Sequence, residues 1–214
     1  MGTQDASGKN GQKTAIREEN ERAILEAAEE VFAEYGFSGA TTSRIARRAG
    51  IPKANLHYYF ATKEALYRRV IDNIFTVWLE AASSLNESDD PRQALAAYIQ
   101  AKMDLSRSRP LGSKVWANEI IQGAPVIQDY LENTLREWTA SREAMIRRWV
   151  NEGKIAPVNP RYLLYMIWAT TQHYADFGHQ IATLNDGRVL TDAQWEEAKK
   201  NVTEIILRGI GVSA

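Results

Sequence analysis

The chain contains no cysteine, which excludes a disulfide framework, a thiol nucleophile and a cysteine-ligated zinc site. Histidine is scarce as well, with three in all. His173 precedes Asp176 by three positions and His179 by six, whereas helical zinc sites pair histidines four apart, so no metal site is expected. A glycine-rich phosphate loop, a nucleophile elbow and a metalloprotease motif are all missing, so no catalytic residues, cofactor or enzyme activity are expected. No apolar run is long enough to span a bilayer, and the first residues lack a signal-peptide core. Met1-Gly2 does not open a myristoylation site, because Ala6 stands where Ser or Thr is required. These absences predict a soluble, cytoplasmic protein with no membrane partner. Sustained polar–apolar alternation is also lacking and prolines number only six, so the expected fold class is all-α.

What is present is concentrated in residues 36–63, GFSGATTSRIARRAGIPKANLHYYFATK. The stretch predicts a helix from Thr42 to Ala49, stopped by Gly50, which tolerates the left-handed conformation of a helix end. A second helix is expected from Lys53 to Phe60, with Pro52 at its first position. Two short helices joined by a glycine-containing turn form a helix-turn-helix, whose second helix enters a DNA major groove. Charge supports that reading. Between Ser38 and Val70 there are seven cations and one anion, a net charge of +6, on a chain whose total is −1; the remainder therefore sums to −7. A cationic island on an acidic protein is the footprint of phosphate neutralisation.

These residues closely resemble the DNA-binding region of the TetR family of bacterial regulators. The match runs through Ala33-Glu34-Tyr35-Gly36-Phe37, Thr41-Thr42-Ser43-Arg44-Ile45-Ala46, Ala49-Gly50-Ile51, Asn55-Leu56-His57-Tyr58-Tyr59-Phe60 and Thr62-Lys63-Glu64-Ala65-Leu66. The resemblance implies a homodimer that binds double-stranded operator DNA, with a three-helix N-terminal domain and a larger helical domain for ligand binding and dimerisation. It places Lys53, Ala54 and Asn55 against base edges and His57 and Tyr58 against the backbone. Arg44 and Arg48 share a helix face within reach of phosphate or guanine. The expected DNA contacts are Arg44, Lys53, Asn55, His57, Tyr58 and Lys63.

Residues 1–14 carry no large apolar side chain and predict a disordered arm. It is either a solvated tail or, through Lys9 and Lys13, a contact to flanking phosphates. The DNA-binding domain is expected over 15–61 and the ligand and dimer domain over 62–214. A helix from Ala15 to Tyr35 should pack Ile24, Leu25, Ala28, Val31 and Phe32 inward and end at Gly36. Thr62 should cap a helix to Leu85 with an apolar ladder from Leu66 to Trp78 and beyond. Asp90-Pro91 starts a helix to Ser108; Pro110 and Gly112 interrupt; a helix follows over Ser113–Gln122. Gly123-Ala124-Pro125 restarts the chain into a helix ending at Asn151. Asn159-Pro160 caps a helix over 161–184, apolar nearly all round as far as Ala169, and Thr191 to Gln194 form a capping box for the last. These two terminal helices could build a four-helix dimer seam.

Trp168, Gln172 and Asp176 recur at i, i+4 and i+8, so a ring, an amide and a carboxylate line one helix face. Such a set suits a flat ligand with a hydrogen-bonding edge, with Trp78 as an opposing wall and Trp116 and Asn118 completing it. The alternative is that these tryptophans are simply core. Ile167-Trp168-Ala169-Thr170-Thr171-Gln172-His173-Tyr174-Ala175-Asp176-Phe177, Trp78-Leu79, Gly153 to Pro157 and Glu119 near Gly123 are similar to pyrimidine-utilisation regulators within the TetR family. That resemblance implies a uracil or thymine effector held by Trp78, Trp168 and Gln172. Two alternatives stand beside it: a regulator of another small planar or hydrophobic ligand, and a ligand-independent DNA-binding protein.

Overall fold

The computed structural model describes residues 5–86 and 88–212, with side chains described from Thr14 onward except that of Asn86. The described residues form helices and no strands, and none of those helices is long and apolar enough to cross a membrane. They divide into two compact units, 1–73 and 74–214.

In the first unit, α1 (Asp5–Gly39) is broken at Gly36, whose φ of +65° and ψ of 178° end the regular helix where the sequence places its stop. The helix begins at Asp5 rather than Ala15, so residues 5–14 of the expected arm are helical; residues 1–4 lie outside the described residues. Helix α2 (Thr42–Arg48) is capped by Thr41, whose side chain accepts from the Arg44 amide. Its other end closes through Gly50, at φ +68°. The Gly50 amide donates to the Arg47 carbonyl at 3.2 Å and the Ile51 amide to that of Ala46 at 3.0 Å. This paired closure requires a left-handed residue at that point, which glycine supplies without steric penalty. It turns the chain into α3 (Lys53–Tyr59). Ile24, Ala28, Val31 and Phe32 of α1 are buried with Ile45, Ala46, Leu56 and Phe60, and with Leu66, Tyr67, Val70 and Ile71 of α4 (Lys63–Ala82). Tyr67 meets Phe32 edge-on at 4.7 Å. Because the first half of α4 completes this core, the unit boundary falls inside α4, after Asn73, and not at residue 61.

The second unit begins with the rest of α4, which tightens into a 3-10 turn at Ser83–Asn86. Helix α5 (Pro91–Ser108) is capped by Asp90 and packs on α9 (Pro160–Asp176) and α11 (Asp192–Gly209) around Leu95, Ile99, Met103, Leu163, Leu164, Ile167 and Ile206. The expected capping box is present, with Thr191 and Gln194 bonded reciprocally. Three departures have local causes. Helix α5 ends at Ser108 as expected, but α6 (Pro110–Ile121) opens at Pro110 rather than Ser113, since proline suits a first helical position. The helix expected after Pro125 starts as α7 (Gln128–Tyr130), passes through a π turn at Leu131–Leu135, and continues as α8 (Arg136–Asn151). The helix expected over 161–184 breaks at Phe177, giving α9 and α10 (Gly178–Leu184).

The connection between α6 and α7 is held by Glu119, which is buried. One of its carboxylate oxygens accepts from the amides of Val126 at 2.7 Å and Ile127 at 3.3 Å. Ala124 within the same loop has a φ of +55°, so that anchor holds a backbone conformation alanine disfavours. Glu119→Ala should leave both buried amides without an acceptor and destabilise the protein by about 2–4 kcal/mol. Chemical denaturation measures this, and a loss below about 0.5 kcal/mol, the range of a neutral surface change, would contradict the anchoring role.

Candidate nucleic-acid interface and ligand cavity

On α3, Leu56 and Phe60 point into the core, Tyr59 is half-buried, and Lys53, Ala54, Asn55, His57 and Tyr58 are exposed. The helix thus presents its first turn and the polar face behind it to solvent, the part of a recognition helix that reaches base edges. Tyr58 is 75% exposed, and its ring meets Tyr59 edge-on at 5.4 Å. Exposed aromatic area on so small a helix has no role in this unit's core.

The seven cations of the island fall into distinct sets. Arg48 is exposed but not free to reach phosphate as the sequence reading has it: its guanidinium bonds Glu30 at 2.5 Å and Glu34 at 3.5 Å, tying α2 to α1. Arg68 and Arg69 lie near Glu64 and Glu21. Arg44 lies 4.0 Å over the Tyr35 ring and donates to the Gly39 carbonyl at 3.1 Å, so its position is fixed beside the surface. Lys63 turns toward the end of α1, donating to the carbonyls of Phe37 at 2.7 Å and Ala40 at 3.0 Å. An ammonium has three donors, so one remains beyond this capping role. Arg47 and Lys53 are exposed and have no ion-pair partner among the described residues.

The second unit contains a cavity of about 70 Å³. One water molecule needs roughly 10–15 Å³ by such a measure, and sites for drug-sized ligands run to about 300–1,000 Å³. The space therefore fits one small ring. Phe75, Trp78 and Leu79 of α4 and Trp116 of α6 form one side, with Trp78 meeting Trp116 edge-on at 5.1 Å. Trp138 of α8 and Trp168 of α9, 6.1 Å apart, form another. Leu135, the last residue of the π turn, also lines it.

Three polar groups reach this aromatic box: Gln172 of α9 and Tyr98 and Lys102 of α5. The Tyr98 hydroxyl accepts from Trp168 Nε1 at 2.9 Å. Burial raises the pKa of Tyr98 well above its usual value, so the phenol stays protonated and keeps its own O–H to donate. Lys102 is 5% exposed, with Nζ 4.4 Å from the centroid of the Trp78 ring. Burial lowers its pKa to about 8, against the opposing pull of Asp176.

Of the residues singled out from sequence, Trp78, Trp116, Trp168 and Gln172 come together here. Asp176 does not line the cavity. Its Oδ1 accepts from Ser113 at 2.6 Å, and burial raises its pKa, opposed by that bond and by Lys102 and Lys114. Asn118 is exposed and outside the lining, and His173 stacks on Phe177 at 4.8 Å. Sequence reading missed Phe75, Tyr98, Lys102, Leu135 and Trp138. For Lys102 a signal existed, because it stands in the stripe Leu95, Tyr98, Ile99, Met103, where every neighbour is buried.

Below pH 8 both the folded and unfolded chain hold Lys102 charged, and the folded chain bears the whole desolvation penalty; as pH rises toward 10 that penalty fades. Lys102→Met should therefore raise the thermal midpoint of the empty protein at pH 7, by roughly 1–3 kcal/mol of stability. The gain should shrink between pH 8 and 10, which scanning calorimetry at both ends of the window checks.

Comparison with known proteins gives the same division. Residues 24–70 match the family model described as bacterial regulatory proteins, tetR family, and residues 71–213 match the C-terminal region of YcdC-like proteins. The HTH-type transcriptional regulator RutR of Escherichia coli strain K12 is 37% identical over 208 residues, covering 97% of this chain and 98% of that one. Among solved structures, AibR in complex with isovaleryl coenzyme A and operator DNA superposes with a TM-score of 0.69 at 19% identity, covering 87% of this chain and 97% of that one. FadR of Bacillus subtilis in complex with stearoyl-CoA gives 0.65 at 20% identity, covering 88% and 98%. These last two show a shared fold. With its helix-turn-helix unit, its helical C-terminal unit and a relative matched along nearly its whole length, the chain belongs to the TetR family of bacterial regulatory proteins.

Proposed function

We propose that this regulator senses uracil or thymine in the aromatic cavity and, as a cytoplasmic homodimer on operator DNA, controls genes of pyrimidine or nitrogen metabolism. The observation that carries the reading is the cavity itself: about 70 Å³, walled by Trp78, Trp116, Trp138 and Trp168, with the Gln172 amide at its edge. Tryptophan faces suit a flat ring, and an amide both donates to and accepts from a pyrimidine edge. Gln172 makes no hydrogen bond to another described residue, so its amide is available to a ligand. The similarity to pyrimidine-utilisation regulators supports the same class. An acyl chain of the kind bound by FadR needs far more room.

The DNA-contact set is Lys53, Asn55, His57 and Tyr58 on α3, with Arg44 and Lys63 at its margin and Arg47 added by its exposure. Asn55 is suited to adenine, which it can meet with two hydrogen bonds. A dimer is supported by the exposed apolar side chains Tyr162, Tyr165 and Met166 on α9, Phe177 just beyond its end and Ile205 on α11. Exposed apolar side chains grouped along one helix are what an interface with a second copy would cover. In the proposed mechanism the ligand shifts populations. It favours one setting of α4, which carries Trp78, and so changes the separation of the two recognition helices across half-sites about one helical turn apart.

In fluorescence-anisotropy titrations at fixed salt, Trp168→Ala should bind operator as the wild type does and lose the response to uracil and thymine. A normal response from that variant would remove the cavity as the effector site. Asn55→Ala should weaken operator binding by about 1–3 kcal/mol and relax preference at one base pair, while leaving non-specific binding unchanged. Equal weakening on random DNA would show that Asn55 holds the backbone only.

A further inference from the structure

Lys102 is buried among aromatic and aliphatic neighbours, and no described residue accepts a hydrogen bond from it. Asp176 acts on it electrostatically without a hydrogen bond between them, and one oxygen of that carboxylate accepts from Ser113. The Trp78 face 4.4 Å away offers attraction but no acceptor. A buried ammonium without an acceptor is strongly unfavourable, and Leu or Met would satisfy this stripe of α5 at no such cost. Lys102 lines the cavity, where an acceptor can arrive.

This inference rests on the reading of that cavity as the effector site. We propose that Lys102 is its specificity-determining contact, donating to a ring carbonyl of the neutral effector, so that the cavity accepts a diketo ring and rejects its amino-substituted analogue. The lining is rich in donors: the Lys102 ammonium, the Tyr98 hydroxyl, whose oxygen already accepts from Trp168, and one side of the Gln172 amide. Its neutral acceptor is the other side of Gln172. A ring with two carbonyl oxygens and a ring N–H complements that set. An exocyclic amine set against Lys102 opposes donor to donor and leaves both unpaired, the arrangement by which polar sites discriminate most strongly.

Proton linkage follows from the same contact. A bound carbonyl stabilises the charged amine and raises its pKa from about 8, so ligand binding above that pH draws in a proton and weakens as pH rises. The groups that face Lys102 are Tyr98 on its own helix and Asp176 on α9; Lys114 of α6 and His173 act through Asp176, and Arg142 of α8 through Tyr98.

The test is calorimetric titration of the full-length wild type, Lys102→Met and Trp168→Ala with uracil and with cytosine at pH 7, repeated for uracil from about pH 6.5 to 9. The wild type should prefer uracil by at least tenfold. Lys102→Met should bind uracil about 10- to 100-fold more weakly, lose most of its preference over cytosine, and lack the wild type's additional loss of affinity above pH 8. Its thermal midpoint shows that it is folded, and ionisation of uracil itself acts on both proteins alike. If Lys102→Met retains wild-type affinity and preference while Trp168→Ala loses binding, the cavity reading stands and the role of Lys102 is overturned. If uracil binds all three alike, or does not bind the wild type, both are overturned.

Discussion

A positive charge held inside an aromatic box is the constraint around which the C-terminal unit is arranged. Lys102 comes from α5, the helix that also forms the centre of the apolar core through Leu95, Ile99 and Met103. The walls around the amine come from α4, α6, α8 and α9. Each wall carries large rings, which shield the charge from water and offer it π faces in place of solvent. Asp176, bonded at one oxygen by Ser113, moderates the charge electrostatically without a hydrogen bond to the amine. The result is a small space with an unmet demand for an acceptor, which the proposed ligand would supply. Binding sites of this kind trade stability for function.

The same logic, in reverse, organises the DNA-binding unit. There the problem is too many cations on one surface, and the fold assigns them different tasks. Arg48 is neutralised by Glu30 and Glu34 and staples α2 to α1. Lys63 satisfies carbonyls left open where α1 breaks at Gly36. Arg47 and Lys53 stay exposed, so the unpaired charge on this surface is smaller than the sequence total. Gly50 fixes the turn that aims α3, and the buried Leu56 and Phe60 set which of its faces looks outward.

Local signals were legible in the sequence wherever a single residue decides the geometry. Gly36, Gly50, Asp90, Asn159 and the Thr191–Gln194 box act where they were expected to. The break after Ser108 was legible, but the start of α6 at Pro110 rather than Ser113 was not, because a proline between two helices marks a start as readily as a break. The break at Phe177 and the π turn at Leu131–Leu135 depend on packing, which periodicity does not report. In the cavity, Trp168 and Gln172 were legible as neighbours on one helix, and Trp78 and Trp116 as opposing rings. Asp176, on the same face, is drawn aside by Ser113, sixty-three residues away in sequence, a contact no spacing reveals. Lys102 was passed over because a lysine in a helix ordinarily reads as solvent-facing, although its neighbours in the stripe say otherwise.

The central claim is that the cavity holds one small planar ring, on a fold that accommodates acyl-CoA ligands in AibR and FadR. Titration calorimetry of the purified protein against uracil and, separately, stearoyl-CoA tests this most directly. One uracil bound per chain, with no binding of stearoyl-CoA, is the predicted result. Binding of stearoyl-CoA with no heat from uracil would contradict it, and would mean that the tryptophan walls part to admit a chain.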